Sequence, residues 1–110
     1  MTIEEYQRQA ARTINWSLCD KDNEMHALHG MVSELGEIHG LYQKVYQGHM
    51  IDVEHLKLEF GDLIWFIAEF CTAYGWNMDD VCKRNINKLK NRYPTGFDTE
   101  RSLHRAVDDV

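Results

Sequence analysis

With 110 residues, 44% of them apolar and 27% charged, the chain has the composition of one folded domain and not of a disordered tail. Eighteen acids against twelve bases leave a formal charge of −6, which argues against a protein whose main task is wrapping a nucleic-acid polymer. The longest unbroken apolar run, Leu63 to Ala68, falls far short of the roughly 20 residues needed to span a bilayer, so no membrane partner is expected. Three cysteines without a C-x-x-C pair suggest neither a zinc knuckle nor a disulfide framework. The opening Met1-Thr2-Ile3-Glu4-Glu5 lacks the basic-then-apolar pattern of a leader, so the expected location is cytoplasmic.

Apolar residues recur at spacings of three and four throughout, the period of helices. Thr2-x-x-Glu5 is a capping-box pattern and opens a first helix predicted to reach about Ser17. A second is predicted from about Asp22 to Gln47, ended by Gly48. A third begins near Asp52 and reaches Tyr74 before Gly75, and a fourth runs from Asn77-x-x-Asp80 to Arg92 or Tyr93, ahead of Pro94. The polar tail holds one short helix around Thr99 to Ala106. Two helices of such length would span a globule of this size, so the expected fold is all-α: a single domain over residues 1–110, built as an antiparallel bundle of about four main helices with its core over 22–94, a tail over 95–110, and dimerisation completing it.

Projected at 100° per residue, the second helix places Met31, Glu34, Glu37, Ile38 and Leu41 on one stripe, and the third places His55, Glu59, Asp62, Leu63 and Phe66 on another. Each stripe carries two acids three residues apart among apolar neighbours. A charge in such a place costs several kcal/mol, about, unless paired or coordinated. Facing stripes would bring four carboxylates together with no base among them, and an all-oxygen donor set suits a hard cation such as Mg²⁺, or Mn²⁺ in its place. A single E-x-x-E is more often a solvated face; two on consecutive long helices are less easily dismissed. A di-iron centre would call for Glu-x-x-His on two helices, and neither Glu34 nor Glu59 has a histidine three residues on.

The fourth helix aligns Asn85, Lys88 and Arg92. Lysine offers a point charge to phosphate and arginine a planar fork, although a plain basic face is the simpler reading of this stripe alone. Trp65 and Phe66 follow Asp62 closely enough to touch a nucleobase, although tryptophan and phenylalanine at helical spacing usually pack in a core. His26 and His29 could pair as ligands but are expected at the surface or the core edge.

In order, Glu34-Leu35-Gly36-Glu37, twenty-one residues, Glu59-Phe60-Gly61-Asp62, and then Asn85-Ile86-Asn87-Lys88-Leu89-Lys90-Asn91-Arg92-Tyr93-Pro94 resemble the motifs of the MazG-like all-α nucleotide pyrophosphohydrolases. The resemblance extends over nearly the whole chain. It implies hydrolysis of a nucleoside triphosphate to a monophosphate and pyrophosphate, with Mg²⁺ held by Glu34, Glu37, Glu59 and Asp62. It further implies Glu37 or Glu34 as the catalytic carboxylate, Asn85, Lys88 and Arg92 on the phosphates, and a homodimer or homotetramer. The alternative from another class is a non-catalytic helical module that binds metal or nucleotide and acts through oligomerisation or a protein partner.

Overall fold

The computed structural model describes residues 1–110 and is all-α, as expected from the periodicity: α1 (Ile3–Ala10), a 3-10 turn (Ala11–Thr13), α2 (Asp20–Val45), α3 (Val53–Tyr74), α4 (Met78–Arg92) and α5 (Thr99–Leu103), with no strand. The chain divides into two compact units, Met1–Met78 and Asp79–Val110.

In the first unit, α1 begins at the predicted capping box. The Thr2 side chain accepts from the Glu5 amide at 3.1 Å while Glu5 accepts from the Thr2 amide at 3.2 Å. The helix stops at Ala10 instead of continuing to Ser17. Side chains that offer the backbone other partners account for the difference. The Thr13 hydroxyl donates to Ala10 O, Asn15 Oδ1 accepts from both the amide and hydroxyl of Ser17, and the Trp16 indole donates to Ala11 O. Ile14 turns extended between them, with ψ of 142°.

Helix α2 starts two residues earlier than expected, at Asp20 after Cys19, with Asp20 and Asp22 at its positive end. It closes at Val45, where a turn through Gly48 at φ 93° reverses the chain. Helix α3 begins and ends as its sequence signals require. Asp52 accepts from the His55 amide at 3.1 Å, and Gly75, left-handed at φ 78°, lets the Trp76 amide reach Cys71 O at 2.7 Å.

At 26 and 22 residues, α2 and α3 are about 39 and 33 Å long. They pack together, with α1 on α3. The buried apolar residues are small for the most part: Ala10, Ala27, Ala68 and Cys71, with Ile14 and Ile38. Gly30 is also buried, and a Cβ placed there would fall within the ring of Phe66. Opposition of Gly30 to Phe66 and of His26 to Glu69 shows that the two helices run antiparallel in a fixed register. Gln7 joins α1 to the far end of α3, donating to Trp76 O at 2.8 Å and accepting from the Met78 amide at 2.8 Å.

In the second unit, α4 carries Asp79 and Asp80 in its first turn and Lys90 and Arg92 in its last, the arrangement the helix dipole favours. Gly96, at φ 103°, turns the chain after Pro94. Asp98 then caps α5, accepting from the Glu100 and Arg101 amides. This helix ends at Leu103, three residues short of the expected Ala106.

Candidate functional site

The antiparallel register that sets Gly30 against Phe66 brings Glu34 of α2 to Glu59 and Asp62 of α3. One carboxylate oxygen from each of these three lies within 4.8 Å of the others. Glu34 and Glu59 are half-buried and Asp62 is exposed. Glu34 Oε2 is buried and receives no hydrogen bond, an uncommon condition for a buried carboxylate oxygen. A proton shared with Glu59 pushes the Glu34 carboxyl up to about 7, aided by burial and by the charges of Glu59, Asp62 and Glu37. Glu59 moves the other way, held below the usual carboxylate range by Glu34 first and then by His55, whose Nε2 stands 2.8 Å from Glu59 Oε1. The pair therefore titrates as a unit, with one proton between two acids.

Such a trio is unfavourable in water alone and is relieved by a proton or by a cation. The donors are all carboxylate oxygens, and the buried Glu34 Oε2 lacks a partner, so the residues fit a hard divalent ion.

Glu37, one turn beyond Glu34, lies outside the trio. It is exposed and lines a separate groove of about 380 Å³ with Ser33, Gly36, Gly40, Lys44 and His55. Its charge still reaches Glu34. Trp65 is half-buried and donates its indole N–H to Thr13 Oγ1 at 2.9 Å and Ala10 O at 3.2 Å, which ties α3 to the chain after α1. Phe66 lies over Gly30, with its ring edge-on to Trp65 at 5.1 Å and tilted to His26 at 5.7 Å. Both aromatic residues thus have packing roles in the first unit.

Asn85 and Lys88 are exposed on α4 in the second unit. Arg92, at the end of that helix, is half-buried and its fork is taken: Nε and Nη2 donate to the two carboxylate oxygens of Asp109 at 2.8 and 2.7 Å. Asp109 is held down to about 2, first by Arg92 and then also by Arg105, against the effect of burial.

Three features escape the sequence reading. Glu69 is buried, 1% exposed, and both its oxygens stand 2.9 Å from His26 Nδ1, so His26 has an acidic partner. The signal was faint: Glu69 follows Asp62 by seven residues, two turns along the same face. Tyr6 of α1 is the second. Burial pushes its phenol up and the charge of Asp62 adds to the shift, which places it near the trio. Asp109 is the third, and nothing in the tail's composition separates it from Asp108.

Residues 22–97 match the family described as the MazG nucleotide pyrophosphohydrolase domain. The chain is also similar to a Mycobacterium phage L5 protein named "Gene 37 protein", at 32% identity over 72 residues. That alignment covers 61% of this chain and 63% of the phage protein, and its name carries no activity. No solved structure matches. The family match takes in the carboxylates of α2 and α3 together with Asn85, Lys88 and Arg92, and the chain belongs to the MazG nucleotide pyrophosphohydrolase domain family.

Proposed function

We propose that the protein is a Mg²⁺-dependent hydrolase that cleaves a nucleoside triphosphate between its α and β phosphates, giving the monophosphate and pyrophosphate. The observation that carries this reading is the trio Glu34, Glu59 and Asp62, whose oxygens converge within 4.8 Å of one another. Glu34, Glu59 and Asp62 would hold the cation, with Glu37 as a fourth carboxylate on the same helix as Glu34. When bound, such an ion supplies charge neutralisation for phosphate and an acidified water. Glu37 is the first candidate to accept a proton during the reaction, and Glu34 is the second. His55 orients Glu59 through its hydrogen bond. Lys88 and Arg92 bind phosphate oxygens, where charge grows as the anhydride bond breaks, and Asn85 donates to phosphate or sugar.

A homo-oligomer accords with the outer face of α2. Met25, Leu28, Val32, Leu35 and Tyr42 are exposed there, Val32 at 73%, and with His39 they follow the three-four spacing of a helix-pairing seam. No helix is long and apolar enough to cross a membrane. Sedimentation of the wild type and Val32→Lys tests it, with dissociation expected in the variant.

The catalytic reading is tested by assaying dNTPs and NTPs with Mg²⁺ or Mn²⁺ alongside Asp62→Asn and Glu59→Gln. Turnover that falls by at least ~100-fold in both variants, with helix content retained, supports it; unchanged turnover in both overturns it. Mg²⁺- or nucleotide-dependent stabilisation with no product would favour the non-catalytic binding module instead.

A further inference from the structure

The second unit contains a cavity of about 790 Å³ with Lys88, Arg92, Arg101 and Arg105 in its wall. The acids facing it are Glu100, Asp108 and Asp109. These groups do not hold their places equally. Arg101 is anchored by the backbone: its Nε donates to Arg92 O at 2.7 Å and its Nη2 to Asn91 O at 3.4 Å, so its charge sits on the carbonyl end of α4. Lys88 is exposed and makes no ion pair. Arg92 and Arg105 both turn to Asp109: Arg92 grips it with two parallel bonds, and Arg105 reaches Oδ2 at 3.4 Å and the backbone oxygen at 3.0 Å.

A carboxylate gripped by a guanidinium fork presents the same two-oxygen edge as a phosphate. We propose that this cavity is a polyphosphate subsite whose arginine fork is closed by Asp109 in the free protein, so that phosphate binds by displacing that carboxylate. Once Asp109 has swung out, Lys88, Arg92, Arg101 and Arg105 face two acids, Glu100 and Asp108. The incoming anion inherits the fork of Arg92, with Arg105 as a second arm, while Arg101 stays anchored. Asp109 is free to move because its side-chain partners are only these two arginines. The inference rests on the assignment of Arg92 to phosphate and adds Arg101, Arg105 and the competing Asp109 to it.

The test is calorimetric titration of the full chain with inorganic pyrophosphate in the absence of divalent ions. Asp109→Asn and Asp109→Ala should tighten binding by at least ~5-fold, because a fork closed most of the time lowers the apparent affinity in proportion. Arg105→Gln should weaken it. In the unaltered protein, the Arg92 side-chain N–H and the Asp109 carboxyl resonances should shift together as pyrophosphate is added. Equal or weaker affinity in both Asp109 variants, or an Asp109 resonance that stays in place while pyrophosphate binds, overturns the proposal. Tightening without any nucleotide turnover leaves the subsite standing and removes the hydrolase reading. Turnover with Asp109 variants that bind pyrophosphate like wild type removes the subsite alone.

Discussion

The His26 ring nitrogen Nδ1 stands 2.9 Å from both carboxylate oxygens of Glu69, joining the exposed side of α2 to an acid that is 1% exposed on α3. Removing the ring leaves a buried carboxylate without its partner, which costs about 1–3 kcal/mol. His26→Ala should lower stability by that amount in chemical denaturation. His26→Ala/Glu69→Leu should recover part of the loss, since replacing both partners by apolar groups removes the orphan.

Gly30 leaves the space that the Phe66 ring occupies. Gly30→Ala forces that ring or the helix axis to move, an overpacking cost of about 1–3 kcal/mol. The midpoint of urea unfolding should fall accordingly, and Gly30→Ala/Phe66→Leu should regain part of it. An unchanged midpoint in Gly30→Ala would show that α2 and α3 do not approach each other here.

Helix ends were legible where a single residue decides them. Asp52 and Gly75 bound α3 as expected, because a side-chain cap and a left-handed glycine are local chemistry. The end of α1 was not, since Thr13, Asn15 and Trp16 act together on the backbone. The facing of Glu34 with Glu59 and Asp62 follows from two apolar stripes, so three carboxylates of the candidate site could be named in advance. Which of the four acids converge depends on the register of α2 against α3, which Gly30 sets, and no periodicity within one helix encodes it. The same register pairs His26 with Glu69 across 43 residues. Asp109 reaches Arg92 only because the chain turns back after Pro94, a matter of tertiary path.

Two groups give the metal-free protein opposite responses to pH. The Glu34 carboxyl is raised from an ordinary 4.5 to about 7 in the fold, so the native state holds its proton longer than the unfolded chain. Stability from this group is full below about pH 4.5 and is lost as pH rises through about 7. Asp109 is lowered from 3.8 to about 2, so its contribution is present above about 3.8 and is lost as pH falls toward about 2. Glu59, lowered by the proton it shares with Glu34, adds to the acid limb, so metal-free stability declines on both sides of the mildly acid range. Glu34→Gln should remove the alkaline decline and leave the part of the acid limb that Asp109 supplies, as thermal melts in EDTA across pH will show.

Mg²⁺ should raise the melting temperature at pH 8 by about 10 °C, from about 2.7 kcal/mol at a hundredfold excess over Kd. NaCl at equal ionic strength should give no comparable rise, because screening acts on exposed charges at a distance and not on one site. Glu59→Gln should abolish the Mg²⁺ effect. A Mg²⁺ response that persists undiminished in that variant would place the ion elsewhere.

The most direct test of the account is phosphorus NMR of a nucleoside triphosphate mixture incubated with the protein and Mg²⁺, with Glu37→Gln as control. The account predicts paired growth of nucleoside monophosphate and pyrophosphate signals in the wild type, lost in the control. Orthophosphate with nucleoside diphosphate would place cleavage at a different bond and contradict the assigned reaction.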